Sequence, residues 1–122
     1  MAAPQLNRML ERFARAARSH HNALESLDEV AANRQATVLA HLAAGILQER
    51  GDGVAGLVTL TREPDPVVAG MAAVYLLPSE RDLALAVLRR VADEPGLIGF
   101  RARGAIDRLE KGEWDGEPHS SP

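Results

Sequence analysis

Cysteine is absent from this chain, which excludes a disulfide framework, a thiol nucleophile and a thiolate metal site. Aromatic residues are nearly absent too, with one Trp, one Tyr and two Phe. The interior must therefore be filled by Leu, Val, Ile and Ala, which suits closely approached helices better than a sheet rich in aromatic and β-branched pairs. The N-terminus has no apolar export segment, because Arg8, Arg12, Arg15 and Arg18 interrupt the residues after Met1. A cytoplasmic location is the expectation. The formal net charge of −3 argues against general nucleic-acid binding, which needs a surplus of Lys and Arg on one face. A Gly-rich phosphate loop, a G-x-S-x-G elbow and an H-E-x-x-H run are all lacking, so phosphoryl transfer, serine hydrolysis and zinc proteolysis have no support.

The rest of the composition is ordinary for a folded domain. Hydrophobic residues make up 46% and charged residues 25% of 122, enough for one core. A single domain is expected over residues 1–114, followed by a flexible acidic tail over 115–122, with Trp114 folding back as a clasp. The most informative stretch is Asp65 to Pro78. Asp65 is a good helix cap and Pro66 suits a first helical position, while Pro78 ends the run. Between them no residue is charged and the apolar ones fall on every side, so this helix is surrounded by others. At this length it does not span a bilayer.

Around it, periodicity predicts five more helices. The first runs from about Gln5 to Ala23, with Leu6, Leu10, Phe13, Ala17, His20 and Leu24 along one side and Glu11 placed to pair with Arg15. Ser26-Leu27-Asp28-Glu29 reads as a capping box opening the second. Its apolar face is Leu27, Ala31, Val38, Leu42 and Ile46, and Gly51 supplies a left-handed stop. Gly45 on that face lets a neighbour approach. Asp52 caps a short third helix over 54–61. Ser79 to Asp82 repeats the capping signature before a fifth helix ending near Ala92. The last, about Leu97 to Lys111, buries Ile98, Ala102, Ala105, Ile106 and Leu109 and exposes Arg101, Arg103 and Arg108. Gly99 and Gly104 within it imply either close packing or a frayed first turn. The fold class is all-α: about six helices in three antiparallel hairpins, a short α-solenoid of the HEAT or armadillo kind or a compact bundle.

The unit from Val54 to Leu77 resembles a HEAT repeat: a short helix, a turn at Pro64-Asp65-Pro66 and a second helix carrying Val68, Ala72 and Leu76. Over Leu6 to Trp114 the chain is similar to a small bacterial family of HEAT-like proteins catalogued as domain of unknown function number two thousand and nineteen. The residues that carry the likeness are Leu10-Glu11-Arg12-Phe13, Asn33-Arg34, Pro66-Val67-Val68 with Ala72-Ala73, Leu76-Leu77-Pro78, Ala84, Ala105, Leu109, Gly112 and Trp114. The resemblance implies a HEAT-like bundle and no particular activity. Ala69 stands where HEAT repeats often carry a basic residue, which removes that usual polar handle.

Candidate binding residues form three groups. Arg8, Arg12, Arg15 and Arg18 make a basic stripe on the first helix, a solvated face or a surface for an anionic partner. Arg34 and His41 lie seven apart on a border of the second. There Arg34 is either a bridge between helices, the reading its amphipathic stem favours, or a functional group in a groove. Val67, Gly70 and Val74 form an apolar flank of the uncharged helix. His21 and Glu25 share a helical face but make only two ligands, so no metal is expected, and no cofactor. The carboxylates Asp28, Glu29, Asp52, Asp65, Glu80 and Asp82 all sit at predicted helix starts, where they stabilise free amides without any catalytic role. The leading expectation is a non-enzymatic HEAT-like interaction module that binds or neutralises a protein partner. The alternatives are a small enzyme or metal-dependent domain with Arg34 and a histidine in a pocket between helix pairs, or a homo-oligomer built on the uncharged helix.

Overall fold

The computed structural model, which describes residues 4–112, folds them into six helices: α1 (Pro4–Glu25), α2 (Glu29–Gln48), α3 (Gly51–Leu60), α4 (Pro66–Leu76), α5 (Arg81–Val91) and α6 (Gly96–Glu110). No strand occurs among the described residues. Trp114 and the tail 115–122 lie outside them. Each helix packs on the next in the chain, most extensively α1 on α2 and then α4 on α5, with α3 on α4 and α5 on α6 close behind. Helix α4 also touches α1, α5 and α6. This is why its apolar residues are not confined to one stripe: Val68, Ala69, Ala72, Ala73 and Leu76 are all closed off from solvent. Its start is as the sequence predicts, with the Val67 amide donating to Asp65 Oδ1 at 2.9 Å and Pro66 in the first turn.

The core is aliphatic with one aromatic anchor. Leu6, Phe13 and Ala17 of α1 meet Leu39, Leu42, Ala43 and Ile46 of α2, Leu57 of α3 and the buried side of α4. Phe13 also lies edge-on to Tyr75, ring centres 5.8 Å apart. Gly45 faces the Met9 sulfur, as expected of a close α1–α2 approach. Arginines tie the layers together by completing helix ends. Arg90 of α5 donates to the Thr61 carbonyl at 2.9 Å, and Arg103 of α6 to the Ala92 carbonyl at 2.7 Å. Both carbonyls sit at helix C-termini, where orphan acceptors and the helix dipole favour a cation.

Three expected helix starts are displaced, and for one reason. Ser26 does not cap α2: its amide closes α1 on the Asn22 carbonyl, so the reversal falls on Leu27 and Asp28 becomes the cap, accepting from the Ala31 amide at 3.0 Å. Leu27 itself takes φ 58° and is 91% exposed, so it does not belong to the buried face of α2. That face is turned toward Ala32, Leu39 and Ala43. Likewise Arg50, not Gly51, takes the left-handed φ of 55°, leaving Asp52 inside the first turn of α3 instead of at its cap. A side chain on Gly53 would strike the Ile46 carbonyl, so glycine there is what lets α3 fold back against α2. Before α5, the Ser79 and Glu80 amides both return to the Leu76 carbonyl, at 3.1 and 2.7 Å, and no side chain caps the helix.

Of the two glycines of α6, Gly99 is the close-packed one. A Cβ on it would overlap the Glu94 carbonyl. Gly104 meets only Arg108 at ordinary contact distance and leaves open space beside it.

Candidate functional site

Between α1, α2, α4 and α6 lies a cavity of about 470 Å³, within the usual size range of small-molecule sites. Local periodicity explains its walls. Pro66, Val67, Gly70, Met71, Val74 and Tyr75 recur along one side of α4, and Ile98, Arg101, Ala102, Ala105 and Arg108 along one side of α6. Leu88 and Val91 of α5 and Ala36 and Leu39 of α2 complete the lining. The space exists because the facing positions are small: Gly70 on α4, and Ala102, Gly104 and Ala105 on α6. Phe100, 66% exposed, also borders it. The apolar flank Val67, Gly70 and Val74 is therefore a half-buried cavity wall.

The polar side chains of the lining are few: two histidines, a tyrosine and two arginines. His20 sits on the buried stripe of α1, one helical turn past Ala17, and is only 9% exposed. Its Nδ1 is sealed from solvent without a hydrogen-bond partner among the described residues. With Nδ1 sealed, Nε2 is the ring nitrogen left for a ligand to reach, and a neutral ring protonated there would donate from it. Burial, the Arg101 guanidinium and His21 all push the His20 pKa down. His21 pairs with Glu25, Nε2 to Oε1 3.2 Å. Tyr75 presents a phenol whose pKa burial pushes up.

Arg101 departs from the expectation of an exposed face. It is half-buried, and burial together with the like charge of Arg108 lowers its pKa. Among the described residues it makes no hydrogen bond or ion pair, in contrast to Arg18, Arg90 and Arg103. No carboxylate of the described residues lines the cavity. A cation removed from water without a counter-ion is unfavourable in the free protein. Sequence reasoning missed Arg101 because it sits in an arginine-rich helix whose other members are exposed. The available signal was its position three before Gly104 and four before Ala105, the small-residue side of α6.

The predicted surfaces are only partly assembled. Arg8, Arg12 and His41 converge on a second, shallower groove between α1 and α2, floored by Met9, Val38 and Leu42. Arg15 and Arg18 lie outside it, and Arg18 reaches Asp65 at 3.8 Å. Glu11 makes no ion pair with Arg15 among the described residues. Arg34 is exposed, bridges no helices among the described residues and lines neither hollow. A pocket joining Arg34 to a histidine is not formed; the arginine beside a buried histidine is Arg101. The described residues contain no group of three or more His, Asp or Glu side chains placed to hold a metal ion, and none of their helices is long and apolar enough to cross a membrane.

Comparison of the chain with protein-family models, curated proteins and solved structures gives no match in any of the three.

Proposed function

We propose that this chain is a non-catalytic binding module, HEAT-like in the stacking of its helical hairpins, and that its ligand is a small organic anion held in the cavity between α1, α4 and α6. The observation that carries this reading is Arg101, which among the described residues is half-buried without a counter-ion, in a cavity that offers apolar walls and no carboxylate from those residues. A negatively charged group placed there relieves the desolvation of Arg101 and its repulsion from Arg108. Binding energy is then gained where the free protein is least satisfied, which is the pattern of a ligand site and not of a structural ion pair. The all-helical architecture, six helices that each pack on the next in the chain, supports the scaffold half of the proposal. Ligand-observed NMR with a fragment panel divided into acids, neutral compounds and amines tests it. Acids should dominate the hits and should vanish with Arg101→Met; amines binding as often as acids would refute the reading.

A second reading is favoured by one separate observation. Arg8, Arg12 and His41 gather over the apolar floor of the α1–α2 groove, a surface suited to an acidic segment of a partner protein. Its affinity for such a partner should fall steeply with ionic strength. Binding indifferent to salt would remove the arginine stripe from the interface.

A further inference from the structure

The cavity constrains the chemistry of its occupant more narrowly, given the reading that it is a ligand site. The first constraint is charge. At neutral pH the interior holds one fixed positive charge, Arg101, because burial and the neighbouring guanidinium keep His20 neutral. A monoanion balances that charge. A dianion such as a phosphomonoester brings a second negative charge against a largely apolar lining, and the other arginine of the lining, Arg108, is exposed. Charge balance therefore disfavours phosphate.

Donor geometry is the second constraint. A guanidinium presents parallel N–H groups whose spacing matches the two oxygens of a carboxylate. The imidazole of His20 adds a neutral group from α1, and with Nδ1 sealed its Nε2–H is the donor available to a ligand.

The third constraint is the apolar part of the lining. Val67, Met71, Val74, Leu88, Val91 and Ile98 offer no hydrogen-bonding side-chain group. A ligand body bearing hydroxyl or amide groups would lose its water there without replacement.

We infer that the ligand is an aliphatic monocarboxylate, its carboxylate held by Arg101 and by the Nε2–H of His20, and its hydrocarbon chain lying along the valine and methionine side of α4. No bond is made or broken. The site binds and releases.

Calorimetric titration of the full chain with butanoate, hexanoate, octanoate and decanoate tests this, alongside octan-1-ol and octyl phosphate. Affinity should rise about fourfold per added methylene, the ratio that corresponds to about 0.8 kcal/mol per buried CH₂, and should level off once the cavity is filled. Arg101→Met should weaken octanoate by roughly tenfold or more, the loss of a charge-assisted pair, while leaving octan-1-ol unchanged. Arg101→Lys should recover part of the octanoate affinity. Gly104→Leu fills the cavity from a helical position with open space beside it. That variant should keep native circular dichroism and lose every member of the series.

Octyl phosphate binding more tightly than octanoate would overturn the carboxylate assignment while leaving the anion site standing. Octan-1-ol matching octanoate would show that no head group is recognised, and would overturn the assignment and the anion reading together. Absence of saturable binding by every compound would do the same.

Discussion

Replacing Arg101 by methionine should make the ligand-free protein more stable, although the substitution removes a charge and five hydrogen-bond donors. Arg101 is half-buried with no partner among the described residues, and both burial and Arg108 disfavour its charged form. Exchanging a buried ionic group for a well-packed apolar one of similar length commonly gains about 1–4 kcal/mol when burial is complete. Partial exposure and solvent screening reduce this to the low end, about 1 kcal/mol. For a domain of this size that raises Tm by about 4 °C. Methionine keeps most of the packing of the arginine stem along the cavity wall, so Arg101→Ala, which loses it, is the control expected to gain less. Thermal denaturation followed by circular dichroism in low salt reads the difference directly. Repeating it at high salt should narrow the gap, because the Arg101–Arg108 repulsion is screened in the wild type and absent from the variant. A lower Tm for Arg101→Met would refute the reasoning, since it would mean that the guanidinium is satisfied in the free fold and that its role is structural.

Other perturbations test the scaffold. Val68→Asp places an unpaired carboxylate at a position that is 0% exposed, and Ala72→Arg overpacks another; each should cost more than about 4 kcal/mol and abolish cooperative melting. Near-native melting of either variant would show that α4 is not central. Leu27→Gly relieves a left-handed backbone at an exposed site and should stabilise the protein by roughly 0.5–1 kcal/mol in denaturant titrations. A loss there would indicate that the leucine side chain contributes packing. Because the folded pKa of His20 lies below its ordinary value of 6.5, the unfolded chain takes up the proton first. Its contribution to stability is therefore complete above that pH and declines as pH falls from there toward the folded pKa. His20 faces Arg101 from α6 and His21 from its own helix, both of which oppose protonation. Melting curves from pH 8 to 5 should show a shallower decline for His20→Gln than for the wild type, and parallel curves would contradict the assignment.

Local chemistry made some features of this molecule legible from sequence. Asp65 and Pro66 specify a helix start in any context, because a side-chain acceptor and a fixed φ act within one turn. The shortage of aromatics and the 3.6-residue spacing of Leu6, Phe13, Ala17 and His20 likewise fix the helical class and the inner face of α1. The uncharged run from Pro66 to Leu77 announced a helix with neighbours on most sides, and α4 has them on α1, α3, α5 and α6.

Tertiary structure alone decided where one helix ends relative to the next, and which polar group is left without a partner. Ser26, Gly51 and Ser79 carry plausible start or stop signals. The amides of Ser26 and Ser79, and that of Arg50 just before Gly51, complete the preceding helix instead, a competition between adjacent elements that a cap motif cannot report. Arg101 is one of three arginines in α6 and ordinary by spacing. It becomes unusual only because α1 brings His20 into the same cavity while the small lining positions Gly70 and Gly104 leave that space unfilled. Burial and charge pairing are properties of positions brought together by packing, so a chain that specifies its helices within single turns still leaves its binding site to be settled by how those helices meet.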